Sequence, residues 1–170
     1  LAALEAMQRA LAHRGPESAG SYVKGAVGMI QTRLAIIDVA AGDHPLFGPG
    51  GSALVGNGEI YNYKELREDL LKKGHKFYTH SDTEVIVHGW EEWGEACVDR
   101  FRGMFAFAIW DSRRKRLLLA RDRFGKKPLY YAILPEGMSR ERFEWLKSIG
   151  AEVIATASPS KWDFLRAQGV

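Results

Sequence analysis

Met104-Phe105-Ala106-Phe107-Ala108-Ile109-Trp110 alternates bulky and small side chains, with Phe105, Phe107 and Ile109 on one face and Ala106 and Ala108 on the other. A period of two is that of a strand, and apolar residues on both faces predict a strand covered on both sides. Asp111-Ser112-Arg113-Arg114-Lys115 then turns the chain, and Arg116 to Arg121 returns as a second strand, so this region is a hairpin. Phe124-Gly125-Lys126-Lys127-Pro128 turns it once more before a third strand, Leu129 to Ile133.

Upstream the period changes. Leu1, Leu4, Met7, Ala10 and Leu11 recur at helical spacing, and Gly15-Pro16 ends that helix. Ser21 to Ile37 reads as two strands broken near Lys24-Gly25, with Arg33 towards the end of the second. Asp38 to Ser52, rich in glycine and proline, reads as a long loop of the kind that is usually functional. Asn62 with Glu65, and Ser81 with Glu84, have capping-box spacing and predict the starts of two helices. Leu66 and Leu70 mark the buried stripe of the first, and Val85, Ile86, Trp90 and Trp93 that of the second. A further short helix is expected between Glu95 and Arg102. Helices in runs and strands in antiparallel runs predict an α+β fold of layered sheets.

The composition excludes several classes of function. A net charge of +3, from 24 basic and 21 acidic residues, carries no long block of one sign, so nucleic acid is not an expected partner. No apolar run reaches the roughly 20 residues of a membrane helix, and no membrane partner is expected. The single cysteine, Cys97, rules out an internal disulfide framework and fits a reducing cytoplasm. The five histidines show no metal-ligand spacing, so no metal is expected. The opening stretch carries Glu5 and Arg9 within its apolar pattern, unlike a signal peptide, and the missing initiator methionine suggests a fragment or a processed chain.

One polar stretch stands out. Asn57-Gly58-Glu59-Ile60-Tyr61-Asn62 follows the apolar run Ala53 to Val55 and leads into a helix from Tyr63, so it is read as a strand end turning into a helix. Asn57 offers amide donors, Gly58 a close-approaching backbone N–H and Glu59 a fixed negative charge, a set that can hold a ligand or steady an oxyanion. The plainer reading is a polar turn in which Asn62 caps the helix.

Six segments together resemble one family. They are His13-Arg14-Gly15-Pro16, Arg33 to Asp38, Asn57 to Asn62, Ser81 to Ile86, Gly103 to Ala108 and Arg121 to Tyr131. In this order and spacing they resemble the glutamine-hydrolysing domain of asparagine synthetase, a class II glutamine amidotransferase with the N-terminal-nucleophile fold. The resemblance covers residues 1 to about 133. It implies two antiparallel sheets stacked between helical layers, and release of ammonia from the side-chain amide of L-glutamine. It further implies that Arg33 holds the glutamine α-carboxylate, that Glu59 and Asp82 accept from its α-ammonium, and that backbone groups around Ile36 and Ile37 line the pocket. Asn57 and the Gly58 N–H become the oxyanion hole. No cofactor belongs to this segment: ATP and magnesium would serve a synthetase domain absent from it.

The departures from the family are equally specific. Family members begin with a cysteine whose thiolate attacks the amide carbon and whose α-amine acts as base. Residue 1 here is leucine, and Cys97 lies in a helical stretch without a free amine, so the chain as given is expected to bind glutamine without hydrolysing it. Glu17 stands where the family has aspartate. Residues 134–170 fall outside the resemblance and read as a helix–strand–helix tail. Leu134 to Ile154 is similar to a unit of cysteine-synthase-like pyridoxal phosphate enzymes, and Ala151 to Val170 to the nucleotide-binding half of medium-chain enoyl reductases. Neither brings active residues, and no glycine-rich phosphate loop supports a nucleotide site. Glu152 to Ala157 is expected to pair beside Leu129 to Ile133. Two readings remain open from sequence: a truncated glutaminase domain, or a non-catalytic glutamine-binding or scaffold module.

Overall fold

The computed structural model describes residues 2–33 and 44–129. The chain forms two compact units, Leu1–Lys127 and Pro128–Val170, and the described helices and strands all belong to the first. Of the expected elements, the Leu129 to Ile133 strand and the whole 134–170 tail, including the Glu152 to Ala157 pairing, lie outside the described residues apart from Leu129.

Helix α1 (Ala2–Leu11) gives way through a tight turn at Ala12–Arg14 to the hairpin β1 (Ser18–Lys24) and β2 (Val27–Arg33). Lys24 pairs with Val27, and Gly25 takes a positive φ of 60°, which allows the two strands to reverse over so few residues. Helix α1 lies along β2: the Thr32 hydroxyl donates to the Leu11 carbonyl at 3.2 Å.

The second sheet has the order β3 (Leu46–Phe47), β4 (Ser52–Ile60), β5 (Gly103–Asp111), β6 (Arg116–Arg121), all antiparallel. The expected hairpin is β5–β6. Its turn is set by Asp111, whose Oδ1 accepts the N–H groups of Arg113 and Arg114 at 3.0 and 2.8 Å. β3 lies within the stretch expected to be loop; two residues are too few for an alternating pattern to be seen. Both faces of β5 are buried, as its alternation requires: Phe105, Phe107 and Ile109 on one, Ala106 and Ala108 on the other.

The larger core forms where the Phe105–Phe107–Ile109 face and Leu54 and Ile60 of β4 meet α2 (Tyr63–Lys72) and α3 (Glu84–Trp93). Leu66 and Leu70 enter from α2, and Val85, Ile86 and Trp90 from α3. Phe101 closes the end of this core, with ring centroids 6.0 and 6.2 Å from Phe105 and Phe107. Each fully buried side chain of this size contributes about 1.5–3 kcal/mol. α3 is buried continuously from Glu84 to Trp90 rather than along one stripe, because it packs between the sheet and the segment after α2. The short α4 (Cys97–Arg100) follows it.

Neither capping box forms. Asn62 precedes α2 but directs its side chain to the α4–β5 link, accepting from Arg102 N–H at 2.9 Å and donating to the Arg100 carbonyl at 3.0 Å. Ahead of α3, Thr83 occupies the cap position but its side chain caps no helix N–H, and its hydroxyl meets that of Ser81 at 2.8 Å. Glu84 instead reaches back to the Tyr78 and Thr79 N–H groups at 2.7 and 2.8 Å. Burial raises the Glu84 pKa, but the bonds from His88, Thr79 and these N–H groups outweigh it and hold the carboxyl at about 2.

Candidate functional site

Asn57 to Ile60 belong to β4 rather than to a turn beyond it; the chain leaves the sheet only at Tyr61. This alters what the stretch presents. Tyr61 N–H donates to the Arg102 carbonyl at 2.7 Å, which fixes the ladder so that odd-numbered residues of β4 face β5. The N–H groups of Gly56, Gly58 and Ile60 therefore point to the opposite edge.

Two of these three donors are taken by side chains from elsewhere. Gly56 N–H donates to Gln31 Oε1 at 2.7 Å, while Gln31 Nε2 returns a bond to the Gly56 carbonyl at 2.6 Å. Ile60 N–H donates to Asp82 Oδ2 at 2.6 Å. Gly58 N–H lies between them, and among the described residues no side chain takes it.

Glycine is required at that position for two reasons. Gly58 has a φ of 149°, and a Cβ there would stand 2.1 Å from the Met104 carbonyl oxygen. Its cross-strand partner is Phe105, as Phe107 is that of Gly56, so the two phenylalanines fill the space the glycines leave.

Asn57 is exposed on the other face of β4, and its amide makes no hydrogen bond among the described residues. Glu59, half-buried, is near enough to Asp82 to raise that carboxyl's pKa. Burial is the largest cause of the upward shift, and the Ile60, Asp82 and Thr83 N–H groups oppose it. The structure thus places Asp82 beside Glu59 and Ile60 at the outward edge of β4, with the Gly58 N–H next along that edge and Asn57 on the exposed face. Arg33 is buried at the end of β2, two residues beyond Gln31, whose side chain is bonded to this edge. The His13-Arg14-Gly15-Pro16 turn backs directly onto it: a Cβ on Gly15 would lie 2.3 Å from the Arg33 nitrogen, and Glu17 N–H donates to the Arg33 carbonyl. Ile36 and Ile37 lie outside the described residues.

Two contributors carry no local signal in the sequence. Gln31 reads as an ordinary strand residue, and only the packing of two sheets gives it Gly56 to bind. Asp122 gathers the N–H groups of Phe105, Phe124, Lys126 and Lys127 at 2.9–3.3 Å and so holds the Arg121–Lys127 turn on β5. Burial raises its pKa, yet these four donors together keep it below the usual carboxylate range.

Cys97 is buried, and burial, aided by Asp99 and Glu95, pushes its thiol up to about 12. Such a thiol is not a nucleophile at neutral pH. Neither of two clefts among the described residues, of about 380 and 290 Å3, is lined by Asn57, Gly58, Glu59 or Asp82; Ser52, at the far end of β4, borders the larger one.

A family model described as a glutamine amidotransferase domain matches residues 2–145. Among curated proteins, the chain is 46% identical over 132 residues to asparagine synthetase [glutamine-hydrolyzing] 2 of Bacillus subtilis, covering 77% of this chain and 17% of that protein. It is 47% identical over 125 residues to asparagine synthetase [glutamine-hydrolyzing] 2 of Oryza sativa subsp. japonica, covering 73% and 21%. Among solved structures it is similar to the glutamine phosphoribosylpyrophosphate amidotransferase of B. subtilis, with 27% identity and a TM-score of 0.48 over 59% of this chain and 24% of that one. The chain spans about a fifth of the length of the curated relatives it matches.

Proposed function

Since the chain belongs to the glutamine amidotransferase domain family, we propose that the edge of β4 binds L-glutamine and holds its side-chain amide for hydrolysis to glutamate and ammonia. The observation that carries this is the Gly58 N–H, directed outwards between two donors already satisfied by Gln31 and Asp82. The Asn57 amide and the Gly58 N–H take the oxyanion that forms when a thiolate adds to the amide carbon. The C–N bond then breaks, ammonia leaves and water releases the thioester. In acyl transfer the loss of one such donor costs about 3–4 kcal/mol.

Binding divides by charge. Arg33 takes the glutamine α-carboxylate through its planar guanidinium, while Glu59 and Asp82 accept from the α-ammonium. Backbone around Ile36 and Ile37 completes the pocket. Cys97, with its thiol pushed up to about 12, does not supply the thiolate, so these residues bind glutamine and do not themselves hydrolyse it. The ammonia serves an ATP- and magnesium-dependent synthetase domain making asparagine or a related amide, in the cytoplasm.

Calorimetry with L-glutamine, and with L-glutamate and D-glutamine as controls, tests this reading. Binding of L-glutamine that is weakened about tenfold or more in Arg33→Lys, where a point charge replaces the fork, is expected. Equal affinity for D- and L-glutamine, or none for either, refutes it.

A further inference from the structure

His75 and His88 are far apart in the sequence, and the fold brings them together. His75 lies in the segment after α2 and His88 in the middle of α3, with ring centroids 5.2 Å apart. One imidazole nitrogen from each, and a carboxylate oxygen of Glu91 on α3, lie within 4.8 Å of one another. His88 is fully buried, and its Nδ1 has no hydrogen-bond partner. A buried ring nitrogen without a partner has lost its hydration with nothing in exchange, which native proteins rarely tolerate without a use for the atom.

We infer that His75, His88 and Glu91 form a binding site for a divalent transition-metal cation of the zinc class. The donors are the borderline imidazole and carboxylate groups that suit zinc, and three protein ligands leave one position for water. Each histidine is oriented by a carboxylate on its other nitrogen: His75 Nε2 meets Glu92 Oε2 at 3.2 Å and His88 Nε2 meets Glu84 Oε1 at 3.4 Å. That is the outer-shell arrangement metal-bound histidines use to fix their tautomer. With each Nε2 engaged in this way, Nδ1 is the nitrogen each ring has left to offer a cation. Glu91 uses Oε1 on the Gly50 N–H at 2.6 Å, which leaves Oε2 for the metal.

Zinc bonds of about 2.0–2.2 Å in a tetrahedron set donor atoms about 3.3 Å apart, so the three ligands must draw in by up to about 1.5 Å. Side-chain torsions of His75 and Glu91, both only partly buried, can supply this. The nearby cation Lys73 is engaged by Glu92 Oε1 at 3.2 Å. A bound ion would join three segments, the stretch after α2, helix α3 and the turn before β4.

Zinc chloride titrated into the full chain, followed by calorimetry, and cobalt(II) followed by visible absorption test the site. About one equivalent is expected to bind, with the cobalt bands of a tetrahedral N/O site and a rise in Tm. His75→Gln and Glu91→Gln, both clear of the deepest part of the core, should each weaken zinc binding about tenfold or more, whereas His80→Gln should not change it. Absence of zinc binding, or unaltered affinity in both variants, overturns the inference. Their unchanged glutamine affinity would separate this site from the β4 edge.

Discussion

Asp82 accepts the Ile60 N–H at 2.6 Å, so the residue that opens the approach to α3 also closes the last outward donor of β4. One carboxylate therefore has two tasks that conflict. It must stay buried to hold the strand, and in the proposed function it must be ionised to hold an ammonium.

The conflict gives Asp82→Asn opposite effects on stability and binding. With its pKa raised mainly by burial, the folded chain keeps the Asp82 proton to higher pH than the unfolded chain does. Its favourable contribution is thus complete at low pH and disappears as pH rises through the raised folded value. An asparagine retains an acceptor for Ile60 and has no charge to desolvate. Thermal melts at pH 7 should show Asp82→Asn to be at least as stable as the wild type, while calorimetry shows glutamine affinity reduced about 10- to 100-fold by loss of a charged hydrogen bond.

Gly58→Ala should be costly. A methyl group 2.1 Å from the Met104 carbonyl, at a φ of 149°, forces β4 away from β5. A loss of about 3 kcal/mol or more is expected in urea titrations. Gly74→Ala is the control: φ is also positive, 92°, but nothing lies within 4 Å of the added carbon. About 1 kcal/mol should suffice there.

Acid should attack the chain at Asp122. Its folded pKa lies below the unfolded one, so its contribution is present above the unfolded value and is lost as pH falls through the folded value. Urea midpoints measured downwards from pH 7 should fall across the carboxylate range. Asp122→Asn should begin about 1–3 kcal/mol lower and show a shallower decline, because four N–H donors lose an anionic partner.

Cys97 should be silent to thiol reagents. With the thiol pushed up to about 12, native protein at pH 8 should not react with a disulfide reagent over minutes and should react fully in denaturant. Cys97→Ala should keep glutamine affinity. Rapid labelling of the native chain would show that α4 opens readily.

The sheet was legible because its pattern is local. Met104 to Trp110 alternates large and small apolar side chains, a pattern that fits a strand buried on both faces. Asn57, Gly58, Glu59 and Asp82 were singled out through family resemblance, since nothing in their own periodicity distinguishes Asn57 or Asp82 from turn residues. The capping boxes misled for a physical reason: Asn62 and Glu84 have better partners at Arg100, Arg102, Tyr78 and Thr79 than at their own helix ends. Gln31 and the His75–His88 pair were illegible because each depends on a contact between segments that a one-dimensional pattern does not bring together.

The carboxamide of Gln31 imitates a peptide group, both giving and receiving at Gly56 as a neighbouring strand would. With β3 beside Leu54, Gln31 at Gly56 and Asp82 at Ile60, the outward side of β4 has, among the described residues, a gap one residue wide at Gly58. An extended polypeptide needs a row of vacant positions to zip onto such a border, and here it finds one. The same closure that disfavours self-stacking along this stretch suits the lone amino acid of the proposed function better than a peptide.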